Sequence, residues 1–263
     1  MELVRKFRRE PTEWNNIFMS GQEMLSSARI DRCRNMVPGT DLQAIRERLL
    51  SLLYSRDTLE GYVGRLGLLH EHAIAKGNGE SDNLKAMLIK LQEDIEKIIS
   101  HGSTINPDLV RLHDYASSTI GRIESLQAVN LLSAAQDGLF FFPFPYLAHN
   151  EEIRTGEFFM SRKETAQGRE LRAVLFLELD RLGKVMAEAR LAAGAIRCSF
   201  RCEKEEARGI LSEKIPLLQE GLSALGYRVN DIRCYHEKDM AALKRDLLEE
   251  MPAYAASTLN INV

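Results

Sequence analysis

RAVLFLELDRLGKVMAEARLAAGAIRCSFRC, residues Arg172 to Cys202, decides the fold. Val185, Ala187, Ala189 and Leu191 alternate with Lys184, Met186, Glu188 and Arg190. Beyond Ala192-Ala193-Gly194, Ile196, Cys198, Phe200 and Cys202 alternate with Arg197, Ser199 and Arg201. Period two on both sides of a glycine-containing turn predicts an antiparallel hairpin with one apolar face. Just upstream, Ala173, Leu175, Leu177 and Leu179 alternate with Val174, Phe176 and Glu178. That strand is apolar on both sides, so it is expected to be central and covered on both faces.

After Cys202 the period changes. Ala207, Ile210, Leu211, Ile215, Leu218, Leu222 and Leu225 recur at helical spacing, and Gly226 stands where a left-handed cap would end the helix. Tyr227, Val229, Ile232 and Cys234 restore an extended pattern, with an irregular step at Asn230-Asp231 that predicts a bulge. Upstream, LFFFPFPY at 139–146 reads as a strand. Pro143 and Pro145 cannot donate to a ladder, so it belongs at an edge. Ile153 to Arg162 reads as a further strand. Met240, Leu243, Leu247, Leu248 and Met251 give a last helix, and Leu259, Ile261 and Val263 alternate as in a terminal strand.

The first half has a helical period throughout. Thr12 is expected to cap a helix carrying Trp14, Ile17, Phe18, Leu25 and Ile30. Thr40 is expected to cap a second, running with interruptions at Gly61, Gly64 and Gly67 to Ala75. Ser81 or Asp82 opens a third, with Leu84, Met87, Leu88, Leu91, Ile95, Ile98 and Ile99 on one side. Asn106-Pro107 opens a fourth, with Asn as cap and Pro at the first helical position. The fold class is therefore α+β. A helical bundle at 1–136 precedes a mainly antiparallel sheet, with a helix packed on one face, at 137–263.

Composition narrows the function. The 263 residues are 44% hydrophobic and 28% charged, as in ordinary globular proteins. A net charge of −3 argues against a general nucleic-acid binder, which needs a dense basic surface. The longest apolar run, LFFFPFPYLA, is too short and too proline-rich to span a bilayer, and no secretory signal is evident, so a cytoplasmic location is expected. Cys33, Cys198, Cys202 and Cys234 lack CxxC spacing and read as reduced core thiols.

Residues for catalysis or metal binding do not assemble. His70 and His72 are two apart, so on a helix they point away from each other, whereas helical metal pairs use i, i+4 spacing. No GxSxG elbow, phosphate loop, HExxH or GxGxxG is present. Glu203, Glu205 and Glu206 suit the positive end of the following helix rather than paired-carboxylate chemistry. A non-catalytic protein without a cofactor or metal is expected.

What remains is a surface. Met186, Arg190, Arg197 and Arg201 share the polar face of the hairpin. Guanidinium groups bind carboxylates at two points, so this face suits an acidic partner. The competing expectations are a solvated face with Glu188 as counter-charge, and a face covered by the terminal helix.

The stretch resembles the C-terminal domain of the flagellar hook-length control protein family. The resemblance is carried by Leu182-Gly183-Lys184-Val185, Ala193-Gly194-Ala195-Ile196, Ile215-Pro216-Leu217-Leu218 and Leu225-Gly226-Tyr227, in that order. Leu182, Gly183, Gly194, Pro216 and Gly226 are its structural positions. Leu179 departs from the family, which often has a proline three residues before the Leu-Gly step. Gly67-Leu68-Leu69-His70-Glu71 followed by Asn83-Leu84-Lys85-Ala86-Met87-Leu88, and Ile123 to Leu131 running into Leu139-Phe140-Phe141-Phe142-Pro143, also resemble the region preceding the domain in longer members, extending the likeness to roughly 60–235. The resemblance implies a domain that docks on the cytoplasmic part of the export-apparatus switch protein and changes which substrates pass, with export of the chain itself a further option. The family's long low-complexity measuring segment is replaced here by a helical bundle, a poor molecular ruler. The alternative is a non-flagellar scaffold that forms a homodimer through its helical half.

Overall fold

A computed structural model describes residues 12–54, 59–75, 82–101, 106–137, 140–148, 152–165 and 168–250. The expected tail strand at 259–263 and the basic first residues lie outside them. The chain divides into two compact units, one helical (10–128 with 145–155) and one built on 129–144 and 156 onward.

The helical unit contains α1 (Thr12–Met24), α2 (Ser27–Cys33), α3 (Leu42–Tyr54), α4 (Leu59–Leu66), α5 (His70–Ala75), α6 (Leu84–Ser100) and most of α7 (Pro107–Asp137). Two of the four expected helices are thus subdivided, and the third and fourth are each continuous. The first breaks at Leu25-Ser26, and the second at Gly67, whose φ of +95° no helix accommodates. Caps shift by one or two residues. Asp41, not Thr40, accepts from the amides of Gln43 and Ala44 at 3.0 Å, while the Thr40 hydroxyl donates to Asp94 at 2.7 Å. Asn83, rather than Ser81 or Asp82, caps α6 by accepting from the Ala86 amide at 2.9 Å. Asn106 caps α7 as expected, accepting from the Asp108 amide at 2.8 Å. Phe18, Leu49, Leu88, Leu91, Ile95, Leu112 and Ile123 are buried in the core.

Lys85, at the start of α6, is 2% exposed in its side chain. Its ammonium donates to Glu71 on α5 and, at 2.9 Å, to Gln127 on α7, and it lies 3.3 Å from Glu124 on α7. A buried lysine persists only when its charge is matched and its protons are accepted, and here three helices share that task.

The second unit is a six-stranded sheet in sequential order: β1 (Phe140–Leu147), β2 (Ile153–Thr165), β3 (Gly168–Leu179), β4 (Gly183–Ala192), β5 (Ala195–Cys202) and β6 (Arg228–His236). β2 through β5 pair antiparallel in succession, and β6 joins β5 in parallel. A parallel neighbour requires a crossover, supplied by α8 (Glu205–Ala224). β1, with its two prolines, is an edge as expected. Asn130 pins it to the last turns of α7, donating to the Phe141 carbonyl and accepting from the Phe141 amide, both at 2.8 Å.

The hairpin turns at Ala193 (φ 49°) and Gly194 (φ 72°), two consecutive positive φ angles that match the twist of the flanking strands. Gly226 (φ 86°) closes α8: its amide donates to Ser223, and the next amide, Tyr227, donates to Leu222, the doubly bonded glycine cap. The bulge also falls where expected. Ile196 pairs with Val229 but Arg197 with Asp231, which leaves Asn230 as the extra residue.

Coverage of the sheet differs from expectation. α8 packs on β5 and β6, burying Ala207 against Val185 and Cys202, with Leu179, Leu182 and Leu211 around them. Ile210 is exposed, and Leu225 is 74% exposed, rather than lying in the interface. In β3 only Val174 is buried; Leu175, Phe176 and Leu177 are half-buried. A single helix spans about two strands' width, so one crossover helix cannot cover a six-stranded face. On the opposite face, α9 (Met240–Glu250) sends Lys244 to Glu157 at 2.6 Å and over the Phe176 ring at 5.7 Å.

Candidate functional site

The register turns the face opposite α8 into rows of side chains. Arg172 pairs with Arg190, and Arg190 with Arg197, so three arginines stand abreast on β3, β4 and β5. The next row reads Val174, Glu188 and Ser199, and beyond it stand Phe176, Met186, Arg201 and, on β6, Tyr235. Like charges directly opposite each other on paired strands are destabilising, so a row of three arginines needs either a counter-charge or a use.

Part of the counter-charge is Glu188, 8% exposed at the centre of the cluster. The Arg172 and Arg190 Nε atoms donate to its Oε1 at 2.6 and 2.8 Å. Ser199 Oγ donates to Oε2 at 3.4 Å, and Arg201 Nη1 lies 3.7 Å from the same oxygen. Burial pushes the Glu188 carboxyl up, but the hydrogen bonds and charges of Arg190 and Arg172 outweigh it and hold the group below the usual carboxylate range.

One carboxylate does not neutralise four guanidinium groups. Arg197 is exposed and makes no ion pair with a described residue, and the Arg190 side chain is 48% exposed. Arg201 lies over the Tyr235 ring at 5.6 Å, a cation–π contact that fixes its direction. On β6, Arg233 Nε reaches Asp231 Oδ2 at 2.7 Å, and Arg233 and Tyr235 are exposed. The open part of this face is thus an arginine and tyrosine surface with excess positive charge. Both residue types concentrate at protein interfaces because each combines apolar area with polar tips.

The sequence-predicted residues divide. Arg190, Arg197 and Arg201 come together as expected. Met186 does not join them at the surface: it is fully buried, because side chains of its own row, Phe176 and Arg201, flank it. Glu188 and the terminal helix, the two competing expectations for this face, both contribute, the first as counter-charge and the second over Phe176. Leu182 packs beside Val185 and Ala207, while Gly183 (φ 70°) makes the β3–β4 turn. Pro216 lies inside α8, where it removes one helical amide. Sequence reasoning left out Arg172, Arg233 and Tyr235. Arg172 was recoverable, since the short 180–182 turn fixes the β3–β4 register; the β6 residues depended on a crossover whose landing point has no local signal.

Elsewhere, an open groove of about 290 Å³ in the helical unit is lined by Ser20, Met24, Arg111, Tyr115, Thr119 and Arg122 among others. Among the described residues no group of three or more His, Cys, Asp or Glu side chains could hold a metal ion, and no helix is long and apolar enough to cross a membrane. The four cysteines are free.

Residues 160–242 match the family model of the flagellar hook-length control protein FliK. The match begins in β2 and ends at the start of α9, so it contains the arginine rows, the hairpin, α8 and β6. This stretch is similar to the hook-length control domain, and the match does not extend to the segments before residue 160. No curated protein and no solved structure matches the chain.

Proposed function

We propose that the protein is a non-catalytic docking factor with a hook-length-control role, whose sheet unit binds the flagellar type III export apparatus through the arginine face and switches the substrates that pass. The observation that carries the reading is the coincidence of the family match with the residues that build this face. The expected partner is the cytoplasmic domain of the export switch protein, which the chain would meet in the cytoplasm. Binding can shift the gate only through unequal affinity for its two states, so the contact must discriminate between them. A charged, pre-ordered surface suits that task because it penalises a mismatched partner strongly.

The helical half gives the self-association alternative less support. Leu84, Leu88, Leu91 and Ile95 of α6 are buried within the chain, leaving Ile99 at 38% exposure, so α6 offers no long apolar stripe to a second copy.

Titration of the full chain with the purified cytoplasmic domain of the export switch protein tests the proposal. Binding in the tens of micromolar or tighter is expected, and Arg197→Glu should weaken it about tenfold or more by placing a carboxylate against the partner's own. Absence of binding by the wild type overturns the docking reading. Binding that Arg197→Glu leaves unchanged retains docking and removes the arginine face from it.

A further inference from the structure

The two edges of the sheet are not alike. β1 carries Pro143 and Pro145, which remove two donors and blunt it against further pairing. β6 has no proline, and beyond the Asn230 bulge it runs regularly from Asp231 to His236. Its direction of pairing can be read from one bond. The Glu237 amide donates to the Cys202 carbonyl on β5 at 2.9 Å. Backbone groups alternate sides along a strand, so the amides of Asp231, Arg233 and Tyr235 also point toward β5. Those of Ile232, Cys234 and His236 point outward, where no strand among the described residues pairs with them.

The side chains beside that open edge differ between its two faces. On the arginine face, β6 presents Asp231, Arg233 and Tyr235, with Arg197 and Arg201 directly behind them on β5. On the other face, half-buried Ile232 and Cys234 lie under α8, and His236 at the strand's end stands 3.5 Å from Glu205 of α8. A strand added at β6 would send alternate side chains to these two environments.

We infer that β6 is a receptor edge, at which an extended acidic segment of a partner protein adds as a seventh strand, its carboxylates on the arginine face and its apolar side chains toward α8. The inference rests on the docking reading and names its mode. Main-chain hydrogen bonds to Ile232, Cys234 and His236 supply affinity, and Arg233, Arg197 and Arg201 select the acidic sequence.

The probe is a synthetic peptide of about ten residues alternating Glu and Val, the length of a long strand. Amide exchange is followed by NMR on the full chain. At saturation, exchange at Ile232, Cys234 and His236 should slow about tenfold or more, while Arg233 and Tyr235, already bonded to β5, change little. A peptide with Lys in place of Glu should bind about tenfold or more weakly, and Arg233→Glu should reverse that preference. Unchanged exchange at the three outward amides overturns the inference, as does equal protection by the Lys peptide. Protection that rises with protein concentration alone overturns it too, because the occupant would then be a second copy. The two proposals fail separately. If the export switch domain binds without protecting these amides, strand addition is lost and docking stands. If the peptide protects them and that domain does not bind, the edge stands and its assignment to the export apparatus is lost.

Discussion

Each unit holds a cluster built around an enclosed charge, and the two clusters are solved in opposite ways. In the helical unit, Lys85 is ringed by Glu71, Glu124 and Gln127, which come from α5 and α7. In the sheet unit, Glu188 is ringed by Arg172, Arg190 and Arg201, which come from β3, β4 and β5. The lysine cluster joins helices that share no backbone hydrogen bonds, so only side-chain contacts, apolar and polar, fix their mutual placement. The arginine cluster joins strands that the ladder already holds. Its charges are not needed to bring β3, β4 and β5 together, yet they stand abreast at a cost. A charge cluster that the fold needs, and one that it only tolerates, should respond differently to removal.

The largest effect is expected at Lys85. Lys85→Ala deletes a buried four-carbon stem and the donor shared by three helices, and should cost about 2–4 kcal/mol in chemical denaturation. Glu71 and Glu124 are more than half exposed, so both can return to water once the ammonium is gone. Most of the loss is therefore packing, and Lys85→Met should recover more than half of it. Equal losses in the two variants would show that the charge, not the stem, holds α5 and α7 to α6.

Glu188→Gln comes next. It leaves Arg172 and Arg190 without their carboxylate in a largely closed site, and should cost about 1–3 kcal/mol at neutral pH. The pH dependence follows from the lowered carboxyl. A group whose folded pKa lies below its unfolded value, about 4.3 for Glu, stabilises fully above that value. The contribution is lost as pH falls through the folded pKa. The gap between wild type and Glu188→Gln should therefore shrink on acidification below about pH 4. A gap that stays constant there would mean the carboxylate charge is irrelevant to the cluster.

These contrasts also separate what was legible in the sequence from what was not. The hairpin, its turn at Ala193-Gly194, the Asn230 bulge and the α8 cap at Gly226 follow from local backbone demands, and each stands where the residues placed it. The β4–β5 rows follow as well, because a two-residue turn fixes register. Period two tells which residues share a face but not what covers that face, so it could not reveal that Met186 is buried while Arg190, two rows away, is open. Nor could it show that α8 packs chiefly on β5 and β6, or that Leu225 at its end is exposed. The break at Ser26 was obscured by apolar spacing that continues across it, since side-chain rhythm does not register a change of helix axis, whereas Gly67 was already among the expected interruptions. Lys85 gave no signal either: among the polar residues of α6 it looks like any other lysine, and its partners lie in two other helices.

The smallest effect, and the one that most sharpens the comparison, is expected at Arg197. It faces Arg190 across the β4–β5 pair and Asp231 across the β5–β6 pair and makes no ion pair with a described residue, so cross-strand repulsion and attraction oppose each other and leave little net contribution to folding. Threonine keeps strand propensity and removes the charge. Arg197→Thr should therefore change stability by less than about 0.5 kcal/mol in either direction. The same substitution should weaken binding to the export switch domain, because Arg197 belongs to the exposed end of the row. Unimpaired stability together with poorer binding is the signature of a residue kept for a partner. A loss of stability of the size expected for Glu188→Gln would instead make the arginines one structural network, and the sheet cluster would then resemble the lysine cluster after all.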